Sequence, residues 1–201
     1  MRAIILADGS LYKTRLYCEG SPAVGRDDEV IAPRPIPLPG PVAQILDLYD
    51  TYGAVVMRDG TVMEWGGTGG VLYRNDNNPG APLTRVPELT DVAYIGRGSQ
   101  YSCALSKHGT VRCWGSSSQG QLGIGLLDDP GRLDRLPVTY HPPGPDVALP
   151  PVRELRVGGA SACALTMDDE VYCWGDTRGG VVGNGITYRA QSTPVRLNLP
   201  R

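Results

Sequence analysis

The sequence predicts an all-β chain folded as a partial or small β-propeller, with about four blades of four antiparallel strands each. Three observations carry this expectation. One stretch is written three times, from Ala54 to Gly66, from Cys103 to Gly115 and from Cys163 to Gly175. Each copy ends in Trp-Gly, so that Trp65, Trp114 and Trp174 stand 49 and then 60 residues apart. Glycine (27) and proline (18) together exceed a fifth of the 201 residues and fall periodically, as turns between many short strands require. A unit of this length with a strand-turn-strand core belongs to a propeller or an array.

Within each copy, the first strand alternates small and apolar residues, a tight turn follows, and the second strand runs into Trp-Gly. Gly60 and Gly109 occupy the turn position that needs positive φ, and Asp169 stands there in the last copy because Asp tolerates that region better than most residues. Val62, Val111 and Val171 suit a pleated, half-buried surface. The repeated Trp65-Gly66, Trp114-Gly115 and Trp174-Gly175 read as repeat core, with three equivalent rings favouring packing over a ligand cage. A glycine-rich connector comes next, clearest at Gly115–Gly125 and again at Gly175–Gly185. No Lys-Ser/Thr pair and no helix signal follow these glycines, which argues against a phosphate loop. Then come a proline-led strand, confined to a sheet edge, and an apolar strand expected near the propeller axis, as in Pro35–Leu38 and Val152–Gly158. A degenerate copy opens the chain: Ala3–Leu11 matches the hairpin, with Thr14 and Arg15 where Trp-Gly would stand and Cys18 just beyond. The whole reads as a single repeat domain with units of approximately 1–52, 53–102, 103–162 and 163–201.

Charge and motif searches narrow the function classes. A net charge of −2 gives no electrostatic footprint for nucleic acid, and no apolar stretch of membrane-spanning length is present. The apolar run Ala3–Ala7 is too short for a signal-peptide core, leaving a trimmed or a non-exported chain as the expectation. Only two histidines occur, His108 in a turn and His141 in a proline-rich stretch, and neither belongs to a triad motif. Asp168-Asp169-Glu170 and Asn75–Asn78 read as solvated surface, since the latter lacks the rest of a calcium loop. No catalytic residue, metal site or cofactor is expected, and the chain is not read as an enzyme.

The run Cys-Ala-Leu-x-x-x-Gly-x-Val-x-Cys-Trp-Gly at 103–115, followed by Gly-Gln-Leu-Gly-x-Gly at 120–125, resembles the regulator-of-chromosome-condensation repeat family, particularly its bacterial, cysteine-bearing members. The resemblance is also good at 163–185, fair at 54–72 and weak at 1–25. It implies a β-propeller of about 50 residues per blade. Its members mostly bind other proteins; known roles include nucleotide exchange on a small GTPase, β-lactamase inhibition and light sensing through clustered tryptophans. None of these roles transfers residue by residue. About four repeats implies a small ring, a fragment, or half of an assembly completed by a second copy as a homodimer, with the last two expected over the first.

Cys103 and Cys113 are ten residues apart across a hairpin, as are Cys163 and Cys173; the matching positions are Ala54 and Glu64 in the second copy and Ala3 and Lys13 in the first. Cysteine at both positions or at neither favours two cross-strand disulfides over a four-cysteine zinc site, which needs closer spacings. Two disulfides point to an extracytoplasmic, oxidising compartment, and Cys18 is left over. The extra length of the 60-residue unit falls near Thr139–Pro150, and an insertion in one blade maps to a loop on one face. Tyr140 and His141 in it, with Arg132 and Arg135 just upstream, are the residues expected to meet a partner. The reading is a non-enzymatic scaffold for binding another protein. Its alternatives are an inhibitor or enzyme module of the cell envelope, and a half-propeller functional only once self-assembled.

Overall fold

A computed structural model describes residues 2–14, 34–48, 53–66, 82–127, 144–180, 182–183, 185 and 190–198. Among these residues the chain forms four separate antiparallel sheets and one short 3-10 turn at Arg178–Gly180. The first sheet joins β1 (Arg2–Ile5), β2 (Leu11–Thr14) and β3 (Arg34–Pro35). The second joins β4 (Val42–Leu48), β5 (Gly53–Met57), β6 (Val62–Trp65) and β7 (Thr84–Arg85). The third joins β8 (Val92–Arg97), β9 (Tyr101–Ser106) and β10 (Val111–Gly115), and a single bridge from Arg112 to Asp146 continues it at the β10 edge. The fourth joins β11 (Val152–Gly158), β12 (Ser161–Thr166), β13 (Val171–Asp176) and β14 (Ala190–Arg196). This is the propeller architecture, though two of the four sheets hold three strands rather than four among the described residues. The prolines fall on sheet edges: Pro35 lies in β3 and Pro194 in β14, where a missing N–H costs no ladder bond.

The second, third and fourth sheets each take their first strand from the residues just before the repeated hairpin, so these sheets and the sequence repeats are offset. β4 ends at Leu48 but pairs with β5 from Gly53 onward, straddling the 52/53 repeat boundary. The hairpin register is the same in all four sheets: Ala3 opposes Lys13, Ala54 opposes Glu64, Cys103 opposes Cys113 and Cys163 opposes Cys173. The three strands that enter the hairpins, β4, β8 and β11, also share an irregularity. Each slips register immediately after its first residue, at Val42/Gln44, Val92/Tyr94 and Val152/Glu154. A bulge there turns the strand entry out of its own ladder and frees its first N–H for another partner.

That partner is the hairpin turn of the preceding sheet. Val42 N–H donates to the Gly9 carbonyl at 2.8 Å, Val92 N–H to Gly60 at 2.9 Å and Val152 N–H to Gly109 at 2.9 Å. The residue before each entry accepts in turn from the hairpin of its own sheet: Arg58 N–H to the Pro41 carbonyl, Lys107 N–H to Asp91 and Met167 N–H to Pro151. Glycine is needed at this junction for two reasons. Gly109 has φ +86°, and a Cβ there would lie 2.9 Å from the Val152 nitrogen; Gly60 has φ +95° and leaves 3.0 Å to the Asp91 Cα. Asp169 holds the same turn position with φ +62° and places its carboxylate against Arg153 of its own sheet. Side chains reinforce two junctions, with Arg58 Nη2 donating to the Ala7 carbonyl at 2.8 Å and Lys107 Nζ to the Asp59 carbonyl at 2.7 Å. Asp59 shapes its turn by accepting the Thr61 N–H and hydroxyl, which hold its carboxyl below the ordinary carboxylate range.

Apolar packing follows the same junctions. Leu11 of the first sheet meets Val42, Val55 and Met63 of the second. Ala54, Val56 and Val62 of the second meet Ile95, Ala104 and Trp114 of the third. Tyr101, Leu105, Val111 and both third-sheet cysteines meet Leu155, Ala162, Ala164 and Trp174 of the fourth. Trp114 and Trp174 are fully buried, each on the face its sheet turns to the preceding blade, while Trp65 is half-buried. The glycine-rich connector wraps the last ring: Trp174 Nε1 donates to the Gln121 carbonyl at 3.0 Å, and a Cβ on Gly123 would lie 2.8 Å from that nitrogen. Gln44 adds a polar stitch between entry strands, its amide donating to the Ile95 carbonyl at 2.7 Å and accepting the Ile95 N–H at 3.0 Å.

Gly109→Ala is expected to cost about 2 kcal/mol, from positive φ and the crowded Val152 backbone together. Asp169→Gly, in the equivalent turn, is expected to change stability by less than about 1 kcal/mol, because that site already carries a Cβ. Urea unfolding midpoints of the two variants check this, and equal losses would contradict it.

Candidate functional site

The four hairpins share one register, so each face position has a counterpart in the other sheets, and the second and third sheets differ sharply there. On the face that the second sheet turns toward the first stand Val55, Met57 and Met63. The equivalent residues of the third sheet are Ala104, Ser106 and Arg112, and those of the fourth are Ala164, Thr166 and Tyr172. Smaller and polar side chains in the third sheet leave a concave pocket of about 230 Å³ under the loop that enters β8. Val92, Leu89 and Ala104 give it an apolar base, and Ser106, Thr110 and Thr90 supply hydroxyls. Glu88, Asp91, His108 and Arg112 complete the lining with charged and titratable groups.

The turn-to-entry junction is what brings these groups together. Lys107 N–H bonds the Asp91 carbonyl at 2.9 Å, which sets the next residue, His108, beside the Asp91 side chain. His108 Nε2 lies 2.8 Å from Asp91 Oδ2, with the imidazole largely exposed at 83%. Asp91 has φ +58°, a conformation Asp accepts more readily than most residues. Ser106 Oγ is taken up locally, accepting the Thr110 N–H at 3.1 Å and the His108 N–H at 3.3 Å. Arg112 is engaged by Asp146 through its Nε, so its charge is offset from within the third sheet. The pocket is therefore a small, open recess with an apolar base and two acidic groups, Glu88 and Asp91, on its lining.

The sequence-predicted residues fall into three groups. Cys103 and Cys113 are disulfide-bonded at an S–S distance of 2.03 Å, as are Cys163 and Cys173 at 2.07 Å. The first bridge is fully buried between the third and fourth sheets, in the cluster that holds Trp174. By strand alternation the second faces away from the third sheet, with Cys173 buried and Cys163 half-buried, so that access to it is through Cys163. Trp65, Trp114, Trp174, Gly66, Gly115 and Gly175 lie at the ends of β6, β10 and β13, with Gly66, Gly115 and Gly175 at positive φ. Arg132, Arg135, Tyr140 and His141 lie outside the described residues, as do Cys18 and Asn75–Asn78.

The pocket itself was missed by motif reading. The pairing of His108 with Asp91 spans seventeen residues and two structural elements, and no local motif encodes it. The signal was nevertheless present, as a run of small and polar residues where the preceding copy has valine and methionine. In the acidic turn, Glu170 pairs with Arg196 at 2.9 Å and accepts the Tyr172 hydroxyl at 3.0 Å, while Asp169 pairs with Arg153. Among the described residues, no group of three or more His, Cys, Asp or Glu side chains could hold a metal ion, and no helix is long and apolar enough to cross a membrane.

Comparison with known proteins identifies the repeat. A family model described as Regulator of chromosome condensation (RCC1) repeat matches residues 90–121, the entry strand, hairpin and connector of the third sheet. The chain is 30% identical over 151 residues to the RCC1 domain-containing protein RUG3, mitochondrial, of Arabidopsis thaliana, covering 74% of this chain and 32% of that protein. It is 34% identical over 136 residues to the E3 ubiquitin-protein ligase HERC2 of Homo sapiens, covering 66% of this chain and 3% of that protein. The chain thus spans a third or less of the curated relatives it matches. Among solved structures, yeast RCC1 (Prp20) bound to Kap60 superposes with a TM-score of 0.63 at 17% identity, covering 95% of this chain and 45% of that one, which shows a shared fold.

The two disulfides occupy one register but differ in surroundings, and access governs thiol exchange. Under graded reductant, Cys163–Cys173 is expected to open first and Cys103–Cys113 only as the chain unfolds. Removing the buried bridge as Cys103→Ala with Cys113→Ala is expected to cost about 2–3 kcal/mol, since it closes a short loop. Mass mapping of alkylated cysteines checks the order, and simultaneous opening would contradict it.

Proposed function

We propose that this chain, built of regulator-of-chromosome-condensation-type repeats, is a protein-binding module that works outside the cytoplasm and carries out no reaction of its own. One observation supports the binding role above the others. Beside its apolar cluster, the second-to-third junction opens into a recess lined by Glu88, Asp91, His108 and Thr110. A fold that repeats its core and varies one surface position displays side chains on a rigid frame, which is how repeat scaffolds recognise partners. The solved relative in which yeast RCC1 is bound to Kap60 is a case of this fold engaging another protein.

The extracytoplasmic placement rests on Cys103–Cys113 and Cys163–Cys173, because paired structural disulfides persist in oxidising compartments. A role without catalysis is supported by how the candidate groups are used. Ser106 accepts turn N–H groups, and Arg112 is paired with Asp146. The stretch containing Arg132, Arg135, Tyr140 and His141 remains the proposed companion surface, on the argument that proline-stiffened insertions lose little freedom on binding.

The immobilised chain is expected to retain a protein from the extracytoplasmic fraction of its own cell. A version with residues 128–143 replaced by a short Gly-Ser turn is expected to lose that protein while keeping its thermal midpoint. Equal retention by both versions would overturn the assignment of this surface, and no retention by the native chain would overturn the binding role.

A further inference from the structure

We propose that the recess between the second and third blades binds a cationic side chain, an arginine or lysine presented by a partner segment. This names the partner chemistry for the protein-binding reading above and rests on it. The shape argument comes first. Where the second sheet fills its equivalent face with Val55 and Met57, the third has Ala104 and Ser106, leaving about 230 Å³ open to solvent at one side. Ala104, Val92 and Leu89 make the base apolar, so a methylene stem can lie along it while its charged head stays at the mouth.

The charge argument is independent of shape. Four ionisable or titratable side chains face the recess: Glu88, Asp91, His108 and Arg112. Arg112 is compensated by Asp146, which removes the one fixed positive charge from competition. His108 takes only one oxygen of Asp91, and a carboxylate has further lone pairs to offer. Glu88 and Asp91 therefore leave the recess with a net negative character that an ammonium or guanidinium satisfies. The hydroxyls of Thr90 and Thr110 can accept from the same head group, and guanidinium geometry suits several acceptors at once. The second sheet lacks the combination, and the fourth, which also carries a small residue and a hydroxyl at Ala164 and Thr166, differs at the Arg112 position. In the second sheet Met57 and Met63 stand at the Ser106 and Arg112 positions, and in the fourth Tyr172 stands at the Arg112 position with its hydroxyl on Glu170.

The test uses the whole chain with N-acetyl-arginine amide as probe and the uncharged N-acetyl-citrulline amide as control, followed by NMR at the Ala104 methyl and the His108 amide. The arginine probe is expected to shift both signals with saturation in the millimolar range, and the citrulline probe to bind at least five-fold more weakly. Glu88→Gln with Asp91→Asn is expected to weaken the arginine probe at least five-fold. Ala104→Val, which restores the second-sheet residue, is expected to do the same by filling the space without removing charge. A thermal midpoint close to that of the native chain establishes that each variant is folded. Equal binding of both probes, or binding indifferent to all three substitutions, would overturn the proposal. Loss of partner retention with arginine binding intact would remove the protein-binding reading alone, and retention without arginine binding would remove this inference alone.

Discussion

The constraint on which the rest of this structure depends is the pair of backbone hydrogen bonds at each blade junction. An entry residue donates its N–H to the turn glycine of the blade before it, and the carbonyl one residue earlier accepts from the turn of its own blade. At all three junctions the entry strand bulges after its first residue, and the accepting turn residue is a glycine whose added Cβ would crowd the entry backbone. The junction thus ties turn chemistry, strand register and blade spacing into one device, used three times among the described residues. Side-chain packing alone would not fix the angle between sheets so closely, because apolar contact is non-directional.

The same device places the candidate site. Asp91 is the carbonyl acceptor of the second-to-third junction and also a lining residue of the recess, and Lys107, which donates to it, is followed directly by His108. A junction that is structural in its backbone is therefore free to be chemical in its side chains. The first junction uses Pro41 in the Asp91 position and the third uses Pro151, neither of which offers a functional group. Substitution there changes what the surface presents while leaving the propeller frame intact, in keeping with function residing in sites carried by folds rather than in folds themselves.

Much of the frame was legible in the sequence because it is repeated. The Trp-Gly pairs, the turn glycines and the paired cysteines each signal a structural role by recurring at fixed offsets, and Asp169 was readable as a left-handed turn residue from its alignment with Gly60 and Gly109. The strand count was less legible. Two of the outer strands, β3 and β7, are only two residues long, and in the third sheet only the Arg112–Asp146 bridge continues the ladder beyond β10 among the described residues. The entry strands were legible as apolar runs such as Val152–Gly158, whereas their bulge and their bond to the preceding turn were not. The recess was only half legible: the small residues Ala104 and Ser106 stand in the sequence, but the contact between Asp91 and His108 is one that only the junction creates.

Native-state hydrogen exchange of the three entry amides, Val42, Val92 and Val152, tests the junction account most directly. If these bonds hold the blades together, the three N–H groups exchange only in the opening that separates the blades, with protection comparable to that of core amides in β5, β9 and β12. Exchange of all three at the fast rate of exposed turn amides would show that the junctions are not paired in solution, and the account would fail.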